Sequence, residues 1–93
     1  MSAPVSTLLA IDATARRCAV LARAPQDNGA SDVIVEELLD RGHDARLAPM
    51  AADAMARVGV RSTALERIVV ATGPGSFTGV RLGVAFARGL ALA

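Results

Sequence analysis

Five features of this 93-residue chain carry residue types that could do chemistry. Asp12 closes the apolar run Thr7-Leu8-Leu9-Ala10-Ile11. At the end of a first strand such an aspartate can hold a metal-bound water near a nucleotide phosphate. The same residue can instead shape a turn by accepting hydrogen bonds from neighbouring amides. The segment after it, Ala13-Thr14-Ala15, has no glycine to let backbone amides approach a phosphate, which weighs against the first reading without removing it. His43 is the sole histidine, and the position four residues on, where a helical zinc pair would need its second ligand, is Leu47. Asp40, Asp44 and Asp53 read as solvated charges, with nothing pairing them for acid–base work. Cys18 is the only cysteine, so neither an internal disulfide nor a cysteine-based zinc site is available, and it reads as a small buried strand residue.

The fifth feature is Gly73-Pro74-Gly75-Ser76-Phe77-Thr78-Gly79-Val80-Arg81. It follows Ile68-Val69-Val70-Ala71 and opens a segment that reads as a helix through Leu92. Strand, glycine-rich turn, helix is the order of a phosphate cradle and also of a tight structural corner. The P-loop pattern needs a lysine, and the chain has none. The dinucleotide pattern fails as well, because the third glycine falls one place late, at Gly79. As a corner the stretch is better defined: Pro74 fixes φ, Gly75 can take positive φ, and Ser76 or Thr78 can cap the helix. Gly79 and Gly83 then share one helix face, with Gly89 nearby. Each costs roughly 1 kcal/mol relative to alanine inside a helix, and close packing against another helix is a reason to keep them.

The elements that must position these residues follow from the pattern of the chain. Its 53% hydrophobic content favours a folded domain, and a chain of this length has a thin core. Net charge is +1, and all ten basic residues are arginines scattered along the chain, so no strong pull on nucleic acid or anionic membrane is expected. With only Phe77 and Phe86 as aromatics, base stacking is poorly supplied. No apolar run approaches the ~20 residues of a membrane span, and no signal peptide is visible, so a cytoplasmic location is expected. Thr7 to Ile11 reads as a buried first strand, Cys18 to Arg23 as a second and Ser31 to Glu37 as a third, joined by turns at 13–17 and 24–30 into a meander. Leu38 to Gly42 is ambiguous between strand end and helical turn. Asp44 is the expected N-cap of a helix whose apolar face is Leu47, Met50, Ala51, Ala54, Met55 and Val58, and Gly59 ends it. Pro49 is expected to remove one backbone bond or to move the helix start later. Ser62 to Glu66 reads as a linker with a short helical turn. Arg67 to Thr72 is a fourth strand, apolar after Arg67 and expected to be buried on both faces. The order is βββαβα. The last segment stops at Ala93 without a cap, which suggests a fragment of a longer protein.

Three segments together resemble the TsaB family, the non-catalytic subunits of the bacterial tRNA threonylcarbamoyladenosine machinery. They are Ala10-Ile11-Asp12-Ala13-Thr14, Gly42 to Met50, and Gly73 to Ala85, of which Gly-Pro-Gly-Ser-Phe-Thr-Gly-x-Arg is the specific part. The resemblance covers about Leu8 to Ala91. It implies an α/β fold, an actin-like, ribonuclease H-like N-terminal lobe spanning residues 1–93, with a second lobe in the family. It implies a partner subunit that dimerises with a TsaD-like catalytic paralogue, is joined by a TsaE-like ATPase, and meets tRNA only through the complex. The paralogue's histidine pair is replaced here by His43 and Leu47. ATP and metal are expected on the partners, with no cofactor held tightly by this chain and Asp12 as a degenerate phosphate site. The implied subunit interface is Met50, Ala54, Phe77, Thr78, Gly79, Val80, Arg81, Gly83 and Val84; a homodimer could use the same helices. The competing reading is a nucleotide-binding enzyme lobe, kinase-type or glycoprotease-like metallopeptidase, using Asp12 and the glycine corner.

Overall fold

The computed structural model describes residues 5–71 and 77–92, with backbone only at 77–80, 82, 91 and 92. The glycine corner at residues 73–76 therefore lies outside the described residues. Strand β1 (Leu8–Asp12) pairs antiparallel with β2 (Arg17–Gln26), which pairs antiparallel with β3 (Gly29–Leu38). Strand β4 (Arg67–Val70) returns parallel to β1, giving the sheet order β3-β2-β1-β4. The meander read from the sequence is present, with longer strands. Strands β2 and β3 run 10 residues each, because the hairpin tightens to Asp27-Asn28 and Gln26 pairs with Gly29. Gly29 takes φ 134°, a conformation other residues rarely adopt.

Helix α1 (His43–Val58) lies across β2 and β3, and helix α2 (Phe77–Leu92) lies on β4 and β1. A 3-10 turn (Ser62–Ala64) precedes β4, where the sequence suggested a short helical turn. The two helices cover one sheet face. Its strand side chains are Leu9, Ile11, Cys18, Val20, Ala22 and Ala24, and from α1 they meet Leu47, Met50, Ala51 and Ala54. The alternation along β2 sends every second residue into this layer. Burying a side chain such as Leu47 contributes about 1.5–3 kcal/mol, so the helix layer is the main source of stability.

Two expectations change, and the alternatives left open at Pro49 are decided. Helix α1 begins one residue before Asp44, with Gly42 at the N-cap in a left-handed conformation (φ 86°) and no side-chain cap. Asp44 sits instead in the first turn, where its charge complements the helix dipole. Pro49 does not move the start; it stays inside the 16-residue helix on the exposed side. Strand β4 is not buried on both faces: Ile68 and Val70 face α2, while Val69 is 46% exposed on the opposite face. Both helices lie on one side, so among the described residues nothing covers the other. At its C-terminus α1 closes as expected, with Gly59 at φ 80° and the Gly59 and Val60 amides donating to Ala56 and Met55.

Candidate functional site

The turn after β1 is the first candidate site. Asp12 Oδ1 accepts a 3.0 Å bond from the Thr14 amide and a 2.6 Å bond from Thr14 Oγ1. The Thr14 hydroxyl and amide bonds hold the Asp12 carboxyl below its ordinary range, and the Arg17 charge adds to this against the opposing effect of desolvation. Thr14 itself is buried. Helix α1 braces the same turn, with His43 Nε2 2.8 Å from the Ala15 carbonyl oxygen. Arg17, a basic side chain beside Asp12, forms an ion pair with Glu36. The arrangement matches the turn-forming reading of Asp12, and its carboxylate oxygen is engaged within its own loop. Among the described residues, no group of three or more His, Cys, Asp or Glu side chains is placed to hold a metal ion. The hollow of about 310 Å³ that Asp12 and Arg17 help to line is otherwise walled by apolar side chains, among them Ala10, Ala19, Leu21, Ile34 and Val69.

The helix layer is the second candidate. Met50 is 1% exposed and Ala54 is fully buried, so both residues expected at a subunit interface belong to this chain's own core. Gly83 is also turned inward: a Cβ there would lie 2.9 Å from Val70 Cγ1 and 4.0 Å from Ile11 Cγ2. The close approach that this glycine permits is therefore between α2 and its own sheet. Val84 is half-buried beside β4, and Arg81 is exposed. The side chains of Phe77, Thr78 and Val80, and the surroundings of Gly79, lie outside the described residues.

The structure also reveals an outward face that the sequence reading passed over. Ala45, Ala48, Pro49, Ala52 and Ala56 of α1 are exposed, at helical spacing opposite the core residues. On α2 the exposed positions include Arg81, Ala85, Arg88 and Gly89. The layer's outer surface is therefore rich in small side chains. The signal was the alanine repeat of α1, which was overshadowed by the larger residues on its other face.

Comparison with known proteins agrees with this architecture. The family model for TsaD, tRNA N6-adenosine threonylcarbamoyltransferase, matches residues 27–93. The tRNA threonylcarbamoyladenosine biosynthesis protein TsaB of Escherichia coli is 39% identical over 85 residues, covering 91% of this chain and 35% of the relative. The solved structure of YeaZ from Pseudomonas aeruginosa superposes with a TM-score of 0.81 at 36% identity, over 95% of this chain and 39% of that one. The chain belongs to the TsaB family. Its fold is the actin-like, ribonuclease H-like one of its YeaZ neighbours. This TsaB-family chain spans little more than a third of the length of these relatives. A more distant likeness, 34% over 59 residues, is to the tRNA N6-adenosine threonylcarbamoyltransferase of Porphyromonas gingivalis. Among the described residues no helix is long and apolar enough to cross a membrane.

Proposed function

We propose that this chain serves tRNA threonylcarbamoyladenosine synthesis in the cytoplasm as a non-catalytic subunit, docking the outer face of its helix layer onto a TsaD-like catalytic paralogue. The observation that carries the reading is the outward row Ala45, Ala48, Pro49, Ala52 and Ala56 on α1, beside the exposed Ala85 and Gly89 of α2. Small side chains let a partner's helices approach closely and pack along ridges and grooves. The closed turn at Asp12 supports a structural rather than a catalytic part for this lobe. The names of the relatives supply the pathway. In this reading the phosphate chemistry and its metal belong to the paralogue and to a TsaE-like ATPase, and tRNA is met through the assembled complex.

The interface residues are accordingly reassigned. Met50, Ala54 and Gly83 hold the lobe together, and the exposed helix positions, with Arg81 among them, meet the partner. Ala52→Arg tests this at the centre of the row. Placing a long charged side chain there is expected to weaken association with the catalytic paralogue by about tenfold or more in a titration, about 1.4 kcal/mol, while the thermal melt of the chain alone stays in place. Unchanged association would reject the helix layer as the docking face.

A further inference from the structure

The two ends of α1 are held differently. At its C-terminus the helix closes on itself, through the Gly59 and Val60 amides. At its N-terminus Gly42 caps without a side chain. The first amides of a helix have no partner within it, and a start without a side-chain cap frays more readily unless other elements hold it.

Three ties from other elements reach this end. His43, the first residue of α1, places Nε2 2.8 Å from the carbonyl oxygen of Ala15. A carbonyl only accepts, so Nε2 carries the proton and donates, which fixes the tautomer of the neutral ring. The Leu39 amide, in the link between β3 and α1, donates to the Arg16 carbonyl at 2.6 Å. One turn into the helix, Arg46 grips Glu37 of β3 by two bonds, Nε to Oε1 at 2.8 Å and a terminal guanidinium nitrogen to Oε2 at 2.6 Å. Such a double bond fixes direction as well as distance. His43 and Arg46 are three residues apart, so they share one side of the helix. Ala45, Ala48 and Pro49 of the outer row are exposed within the same first turns.

We propose that His43 is a positioning residue for the docking helix: its bond to the Ala15 carbonyl, backed by the Arg46–Glu37 pair, sets where the outer row of α1 stands on the sheet. The turn between β1 and β2 is then the fixed point against which the docking face is aligned. A helix start held in place before contact spares the partner the cost of ordering it. This inference rests on the docking role proposed above, and it assigns the part of the lobe that keeps the docking face in position.

The test titrates the TsaD-like paralogue with this chain and with its His43→Leu, His43→Gln and Ala52→Arg variants, below the melting temperature of each. Amide hydrogen exchange of the free chains is followed alongside, because it separates local opening from global unfolding. Leucine fills the place of the ring without a donor, whereas glutamine supplies a side-chain N–H of similar reach. His43→Leu is expected to weaken association at least fivefold and to speed exchange of the Leu47 and Ala48 amides at least fivefold, with the amides of β1 and β2 unchanged. His43→Gln is expected to restore both. Association as tight as the parent's for His43→Leu, with Ala52→Arg weakened, overturns this proposal and leaves the docking role standing. Unchanged association for both variants overturns the docking role and this proposal with it. A loss that glutamine does not rescue, or one accompanied by faster exchange throughout the sheet, also overturns it, since the ring would then serve packing or folding and not the placement of α1.

Discussion

At the residue scale, two side-chain environments decide the reading. Gly83 sits where a Cβ would press on Val70 Cγ1 at 2.9 Å. Gly83→Leu therefore cannot be accommodated without lifting α2 from β4. It is expected to cost about 2 kcal/mol or more of folding stability, within the range of overpacked cores, in urea denaturation. The sequence reading placed Gly83 at the implied subunit interface, where the same change would weaken association more than folding. A glycine in a helix announces a close neighbour but not which neighbour, and only the register of α2 on the sheet tells them apart. Asp12 gives a second prediction, in pH. Its carboxyl is held below the ordinary value of 3.8 by Thr14, so the folded state gains stability from its ionised form. That gain is present above about pH 4 and is lost as the pH falls through the lowered folded value. Asp12→Asn should lose stability near neutral pH yet show a shallower decline in its urea midpoint between pH 5 and 2. Parallel declines in the two proteins would contradict the bond to Thr14.

At the scale of elements, the meander was legible because β1 to β3 show alternation or short apolar runs punctuated by Asp-Asn-Gly, and α1 because Leu47, Met50, Ala51 and Ala54 recur at helical spacing. What was not legible depended on the partner of each element. Strand β4 reads as apolar throughout, which is the pattern of a strand covered on both sides, but here both helices lie on one side and Val69 is left half-exposed. The start of α1 was misplaced because a left-handed Gly42 does the capping without a side chain, which leaves no Ser, Thr or Asp signature. Pro49 remains inside α1 because its ring points to the exposed side, at the expense of one backbone bond. Pro49→Ala should restore that bond and raise stability by about 1–3 kcal/mol, read as a higher melting temperature and greater helical circular dichroism. A melting temperature lowered by the change would show that the proline is there for packing.

At the scale of the whole molecule, the sheet divides the lobe into a helix-covered face and an open one crossed by Ile34, Leu21, Ala10 and Val69, which pair in one row across the four strands. The family was legible from the Gly73 to Arg81 string, and it is borne out by the matched family model and by the YeaZ superposition. The candidate site was less legible. Its inward residues were the large ones, which stand out in a sequence, and its outward residues are alanines, which do not. In the proposed function this chain acts through its helix layer as a subunit rather than through a reaction centre of its own. The most direct measurement is threonylcarbamoyladenosine formed on tRNA by the TsaD-like and TsaE-like proteins, with and without this chain and with its Ala52→Arg variant. Modification is expected to depend on the chain, to be lost with Ala52→Arg, and to survive Asp12→Asn. Modification that persists without the chain, or that fails with Asp12→Asn while tolerating Ala52→Arg, would contradict it.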